Sequence, residues 1–65
     1  MELGEKILHM RAKLDMSQEK MAEELGVAFV TLNRWENGRA NPTKKKLLQI
    51  EEYCRSKNIS FDEVR

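Results

Sequence analysis

Asn33 and Arg34 stand side by side in this sequence, and their planar end groups are the two best suited to reading nucleic-acid bases. A guanidinium can donate twice to O6 and N7 of guanine, and a carboxamide can pair with N6 and N7 of adenine. Phe29 and Val30 lie one helical turn earlier and offer apolar contact to a thymine methyl, with Thr31 close to the backbone or a base edge. Shortly after them comes the run Lys44, Lys45, Lys46, whose charge suits phosphate. Each has a plainer reading. Arg34 and Asn33 can be ordinary surface residues, Phe29 can fold back over the core or against a partner chain, and a lysine run can be a solvated helix start.

These side chains become a reading surface only if a scaffold positions them. Ser17 is a good N-cap, although Lys20 occupies the capping-box place of Glu or Gln, so the helix start rests on the serine. Met21, Ala22 and Leu25 share one face, and Gly26 follows where a helix can end at positive φ. In the next segment Leu32 and Trp35 share a face, while Phe29, Val30, Asn33 and Arg34 fall on another. Ala22 is small enough for two helices to cross closely there. Residues 17–38 therefore read as a helix-turn-helix, with helices over 17–25 and about 28–37.

Around that motif, Leu3, Ile7, Met10 and Leu14 predict an amphipathic helix over 3–14. Asn37-Gly38 ends the third helix, and Pro42 suits the first turn of a fourth running from about Thr43 to Ser56. Its inward residues are expected to be Leu47, Ile50 and Cys54 or Tyr53. Asn58 offers a turn, and Ser60 with Glu63 forms a capping box for a short fifth helix. The expectation is an all-α fold: one compact bundle of four to five helices over residues 1–65. Trp35, Met10, Met16 and Met21 read as core.

Composition restricts the function further. The 65 residues allow one small domain, and 40% apolar with 35% charged residues suits a helical bundle. Net charge is only +1, but residues 31–46 hold Arg34, Arg39, Lys44, Lys45 and Lys46 against Glu36, a local +4. Such a patch can contact phosphates without the chain being basic. One cysteine, Cys54, cannot form an internal disulfide and fits a reducing compartment. No apolar run spans a membrane and no signal segment is visible, which makes a cytoplasmic location the expectation. His9 has no companion at ligand spacing and Cys54 has no nearby base, so neither a metal site, a cofactor nor an enzyme is expected.

With Ser17-Gln18, Met21-Ala22, Leu25-Gly26-Val27, Leu32, Arg34-Trp35-Glu36-Asn37-Gly38 and Pro42 at their spacing, the chain resembles the Xre family, which includes the lambdoid phage repressors and Cro proteins. The resemblance covers roughly residues 4–54. It implies a lambda repressor-like bundle whose third helix enters the major groove of double-stranded DNA. It also implies phosphate contacts from Gln18 and from the Asn37 to Arg39 region, and an ion pair between Arg11 and Glu36 as in some members. Three positions depart from the family pattern. Ala28 replaces a Ser or Thr cap, and Phe29 and Val30 replace polar base-reading residues, which reduces hydrogen-bond readout.

The expected role is a sequence-specific transcriptional regulator, acting as a homodimer on two half-sites because one helix reads only a few base pairs. Two alternatives stay open. The exposed apolar pair would also serve a protein-interaction module, such as an antitoxin or adapter. The domain could equally belong to a larger regulator.

Overall fold

The computed structural model describes residues 2–59, and the capping box at Ser60 and the expected fifth helix lie outside them. Four helices follow one another: α1 over Leu3–Leu14, α2 over Gln18–Leu25, α3 over Phe29–Glu36 and α4 over Lys44–Ser56. No strand occurs among the described residues. The family-level expectation of an all-α fold is met.

Local chemistry explains where each helix starts and stops. Ser17 Oγ accepts from the Lys20 backbone N–H at 3.1 Å, and Thr43 Oγ1 accepts from the Lys46 N–H at 3.2 Å. Each satisfies one donor that a helix start leaves without a partner. Thr43 being the cap puts Pro42 before the helix, not in its first turn as the sequence suggested. Gly26 closes α2 at φ 70, a conformation that costs a glycine nothing. Asp15 does the same for α1 at φ 52, helped by the tolerance of aspartate for that region. Asn58 turns the chain at φ 58 after α4.

Packing centres on α3, against which both α1 and α2 lie, while α4 closes the bundle against α2. The core consists of Ile7, Met10, Met21, Ala22, Leu25, Leu32, Trp35, Ile50 and Cys54. Leu3, Leu14, Met16 and Tyr53 pack at its edge. Leu47, expected inside, is 37% exposed, and its neighbour Leu48 is 59% exposed. Ile50, Cys54 and the half-buried Tyr53 supply the inner strip of α4, and one turn earlier the half-buried Lys46, not Leu47, continues it.

At Gly4 the backbones of α1 and α3 approach closely. A Cβ added at Gly4 would lie 2.5 Å from the Glu36 carbonyl oxygen, so only glycine lets the two backbones meet here. The same two helices are joined by Arg11, whose Nη1 donates to Glu36 Oε1 at 2.9 Å and Oε2 at 3.1 Å. The Glu36 side chain is only 6% exposed, so this is a partly buried pair. Arg11 Nε also donates to the Met16 carbonyl at 3.3 Å, tying in the connection between α1 and α2.

Candidate nucleic-acid interface

The α2–α3 pair carries the candidate site. With Leu32 and Trp35 buried beneath it, the opposite side of α3 is turned outward, and Phe29 and Val30 are 48% and 61% exposed. Phe29 therefore does not fold back over the core. Arg34 is also exposed, and Thr31 is half-buried. Val30 and Arg34 are four residues apart on one helix, so an apolar and a cationic side chain stand as neighbours on the same surface. Ala28 flanks α3 in extended conformation and gives no side-chain cap, leaving the first N–H groups of α3 open to an outside acceptor.

Ion pairing sorts the cations into two groups. Lys20 sits 3.3 Å from Glu23 and 3.9 Å from Glu24, Arg55 is 3.2 Å from Glu52, and Arg11 holds Glu36. By contrast, Arg34, Arg39, Lys44 and Lys45 have no hydrogen-bond or ion-pair partner among the described residues, and all four are exposed. Lys46 behaves differently from its two neighbours. Its Nζ donates to the Leu25 carbonyl at 3.3 Å, where a cation at the end of α2 favours the helix dipole. Three lysines in the first turn of α4 oppose that helix's own dipole, and no acidic residue in the turn offsets them.

A chain of three amides crosses from α2 to the end of α3. Asn33 Nδ2 donates to Gln18 Oε1 at 3.3 Å. Asn37 Nδ2 donates both to Asn33 Oδ1 and to the Asn33 carbonyl, each at 3.0 Å. The Asn33 amide, which sequence chemistry would aim at adenine, is thus engaged at both ends within the protein. Asn37, a residue the family resemblance assigns to phosphate, has its Nδ2 directed at both of these Asn33 acceptors. Gln18 is the reverse case, since its accepting oxygen is occupied and both hydrogens of its Nε2 remain.

Sequence reasoning missed Gly4, Lys46 as a helix cap, and the bridge from Gln18 to Asn33. For Gly4 a signal existed, because a glycine inside an amphipathic helix costs about 1 kcal/mol against alanine and needs a packing reason. For the other two the partners are 21 and 15 residues apart, and only the helix crossing joins them.

Elsewhere, the described residues contain no group of three His, Cys, Asp or Glu that could hold a metal. No helix among them is long and apolar enough to cross a membrane. The buried Cys54 thiol is pushed up, chiefly by burial, so it is a poor nucleophile.

Comparison with known proteins agrees with this geometry. A family model described as helix-turn-helix matches residues 7–61. The chain is 30% identical over 64 residues to the HTH-type transcriptional activator BcrR of Enterococcus faecalis, covering 98% of this chain and 30% of that protein. It is 28% identical over 64 residues to the cryptic phage CTXphi transcriptional repressor RstR of Vibrio cholerae, covering 98% of this chain and 54% of that protein. To the HTH-type transcriptional regulator DicA of Escherichia coli it is 33% identical over 48 residues, 74% of this chain and 36% of that protein. The chain thus spans from 30% to 54% of the length of these relatives. No solved structure gives a significant match. On the match across residues 7–61 and the crossed α2–α3 pair that carries it, the chain belongs to the Xre-like helix-turn-helix family.

Proposed function

We propose that this domain binds double-stranded DNA in a sequence-specific manner as the DNA-reading part of a transcriptional regulator, with α3 in the major groove. The observation that carries this reading is the segregation of the cations: those outside residues 31–46 are engaged within the protein where their contacts are described, while Arg34, Arg39, Lys44 and Lys45 are exposed and unpaired. Arg34 is the residue to pair with guanine, and Phe29 and Val30 meet thymine methyls. Gln18, Arg39, Lys44 and Lys45 hold flanking phosphates. A dimer on two half-sites about 34–36 Å apart supplies the contact area that one copy lacks.

The experiment is a titration with random and selected duplexes at two salt concentrations. Binding should weaken steeply with salt, and Arg34→Ala with Lys45→Ala should abolish it at moderate salt. Removing Lys45, the phosphate contact of the two, should also flatten the log–log salt slope by about 1. The exposure of Phe29 and Val30 favours one second reading, a surface for a protein partner. Absence of DNA binding at low salt would select that reading.

A further inference from the structure

We infer that Asn33 is a positioning residue, which fixes the Gln18 amide so that its nitrogen, not its oxygen, faces a DNA phosphate, and is not a reader of adenine. The inference rests on the DNA-binding reading above and deepens it. A free glutamine amide at a helix start can present either its oxygen or its nitrogen, and only the nitrogen attracts phosphate. Here the choice is made by Asn33, whose Nδ2 takes Gln18 Oε1 at 3.3 Å. Asn33 in turn has its own orientation set, because Asn37 Nδ2 donates to its Oδ1 at 3.0 Å and anchors to its carbonyl at the same distance.

The direction of donation is the same along the whole chain: Asn37 gives to Asn33, Asn33 gives to Gln18, and Gln18 is left with hydrogens to give outward. The chain also crosses from α3 to the start of α2, so the phosphate donor on one helix is held in register with the reading face on the other. Half-burial of Gln18 and Asn33 lowers competition from water for these bonds. This arrangement gives Asn33 an influence on every DNA sequence alike, since a phosphate contact positions and a base contact specifies.

The test is a double-substitution cycle on binding, with Asn33→Ala, Gln18→Ala and the pair, each measured on the selected duplex and on random duplex. Each single change should weaken both duplexes by the same factor, on the order of tenfold for one charge-assisted hydrogen bond. The pair should lose little more than either alone, and the base preferences selected by Asn33→Ala should match those of the parent. Gln18→Glu, which places a carboxylate where the donor stood, should lose more than Gln18→Ala. Melting curves for each variant identify any that fail to fold, and Asn33→Ser serves as a second, smaller change.

The inference is overturned if Asn33→Ala relaxes preference at an adenine position while its loss adds fully to that of Gln18→Ala. An unsubstituted protein without affinity for DNA at low salt would overturn the functional reading as well, so the two failures are distinct.

Discussion

Replacing Gly4 by alanine tests the packing argument most directly, because two effects act there with opposite sign. Helix propensity alone makes Gly4→Ala stabilising, by at most about 1 kcal/mol. The contact opposes it. The new Cβ would lie 2.5 Å from the Glu36 oxygen, 3.1 Å from its carbonyl carbon and 3.2 Å from the Trp35 oxygen, and all three are backbone atoms. Reaching ordinary contact requires α1 to move by about 1 Å at this end, a gap wide enough to forfeit a quarter to a half of the dispersion well for the atoms it separates. Ile7 and Met10 of α1 and Trp35 of α3 belong to the core that such a shift would loosen.

Overpacking of this kind costs roughly 1–3 kcal/mol, so set against a helix gain of at most about 1 kcal/mol the net expectation is a loss centred on about 1 kcal/mol. A domain of this size has roughly 3–10 kcal/mol in total, and each kilocalorie shifts the melting temperature by about 4–8 °C. Urea and thermal unfolding of Gly4→Ala should therefore show a clear drop in both midpoints with little change in m-value. A variant as stable as the parent, or more so, would refute the close-approach argument. It would mean that α1 slides on α3 at no cost.

Three other outcomes follow from the structure. Arg11→Met leaves the Glu36 carboxylate, whose side chain is almost wholly buried, without a partner and should cost about 3 kcal/mol, while Glu36→Gln, which keeps shape and an acceptor, should cost about 1; the reverse order in urea unfolding contradicts the pair's role. Tyr53 is the sole tyrosine, and burial first, then its 3.2 Å hydrogen bond to Glu24 and that residue's charge, pushes its phenol up to about 12. Its neutral form is the one the fold favours, so this stabilisation is complete below the unfolded value of about 10 and is lost as pH rises towards 12; ultraviolet titration of the folded protein with a midpoint near 10 would contradict it. Replacing thymine by uracil in a selected duplex should weaken the parent protein by about 1 kcal/mol per methyl contact and leave Phe29→Ala with Val30→Ala indifferent, as measured by fluorescence anisotropy.

Much of this fold could be read from the chain because its signals are local. Ser17, Gly26 and the spacing of Leu3, Ile7, Met10 and Leu14 act within a turn or two, and α1 and α2 start and stop where those residues say. Burial of Leu32 and Trp35 follows from their separation along α3. Leu47 shows where periodicity fails: it has the right spacing to Ile50 and Cys54, but the width of the buried strip depends on how α4 sits on its neighbours. Of the amide chain, the Asn33 to Asn37 step is one helical turn and visible in the sequence, whereas the Gln18 to Asn33 step exists only once α2 and α3 have crossed. Arg34 could be identified as exposed, but the pairing of Lys46 with a carbonyl, which separates it from Lys44 and Lys45, could not.

The separation of paired from unpaired cations has a kinetic consequence. Residues 31–46 carry +4 while the chain as a whole carries +1, which leaves −3 on the rest. The exposed Arg34, Arg39, Lys44 and Lys45 thus give a nearly neutral chain a local excess of unpaired positive charge. In the field of a polyanion such unpaired cations are drawn forward before contact. On the DNA-binding reading proposed above, productive encounters thus become a larger share of collisions.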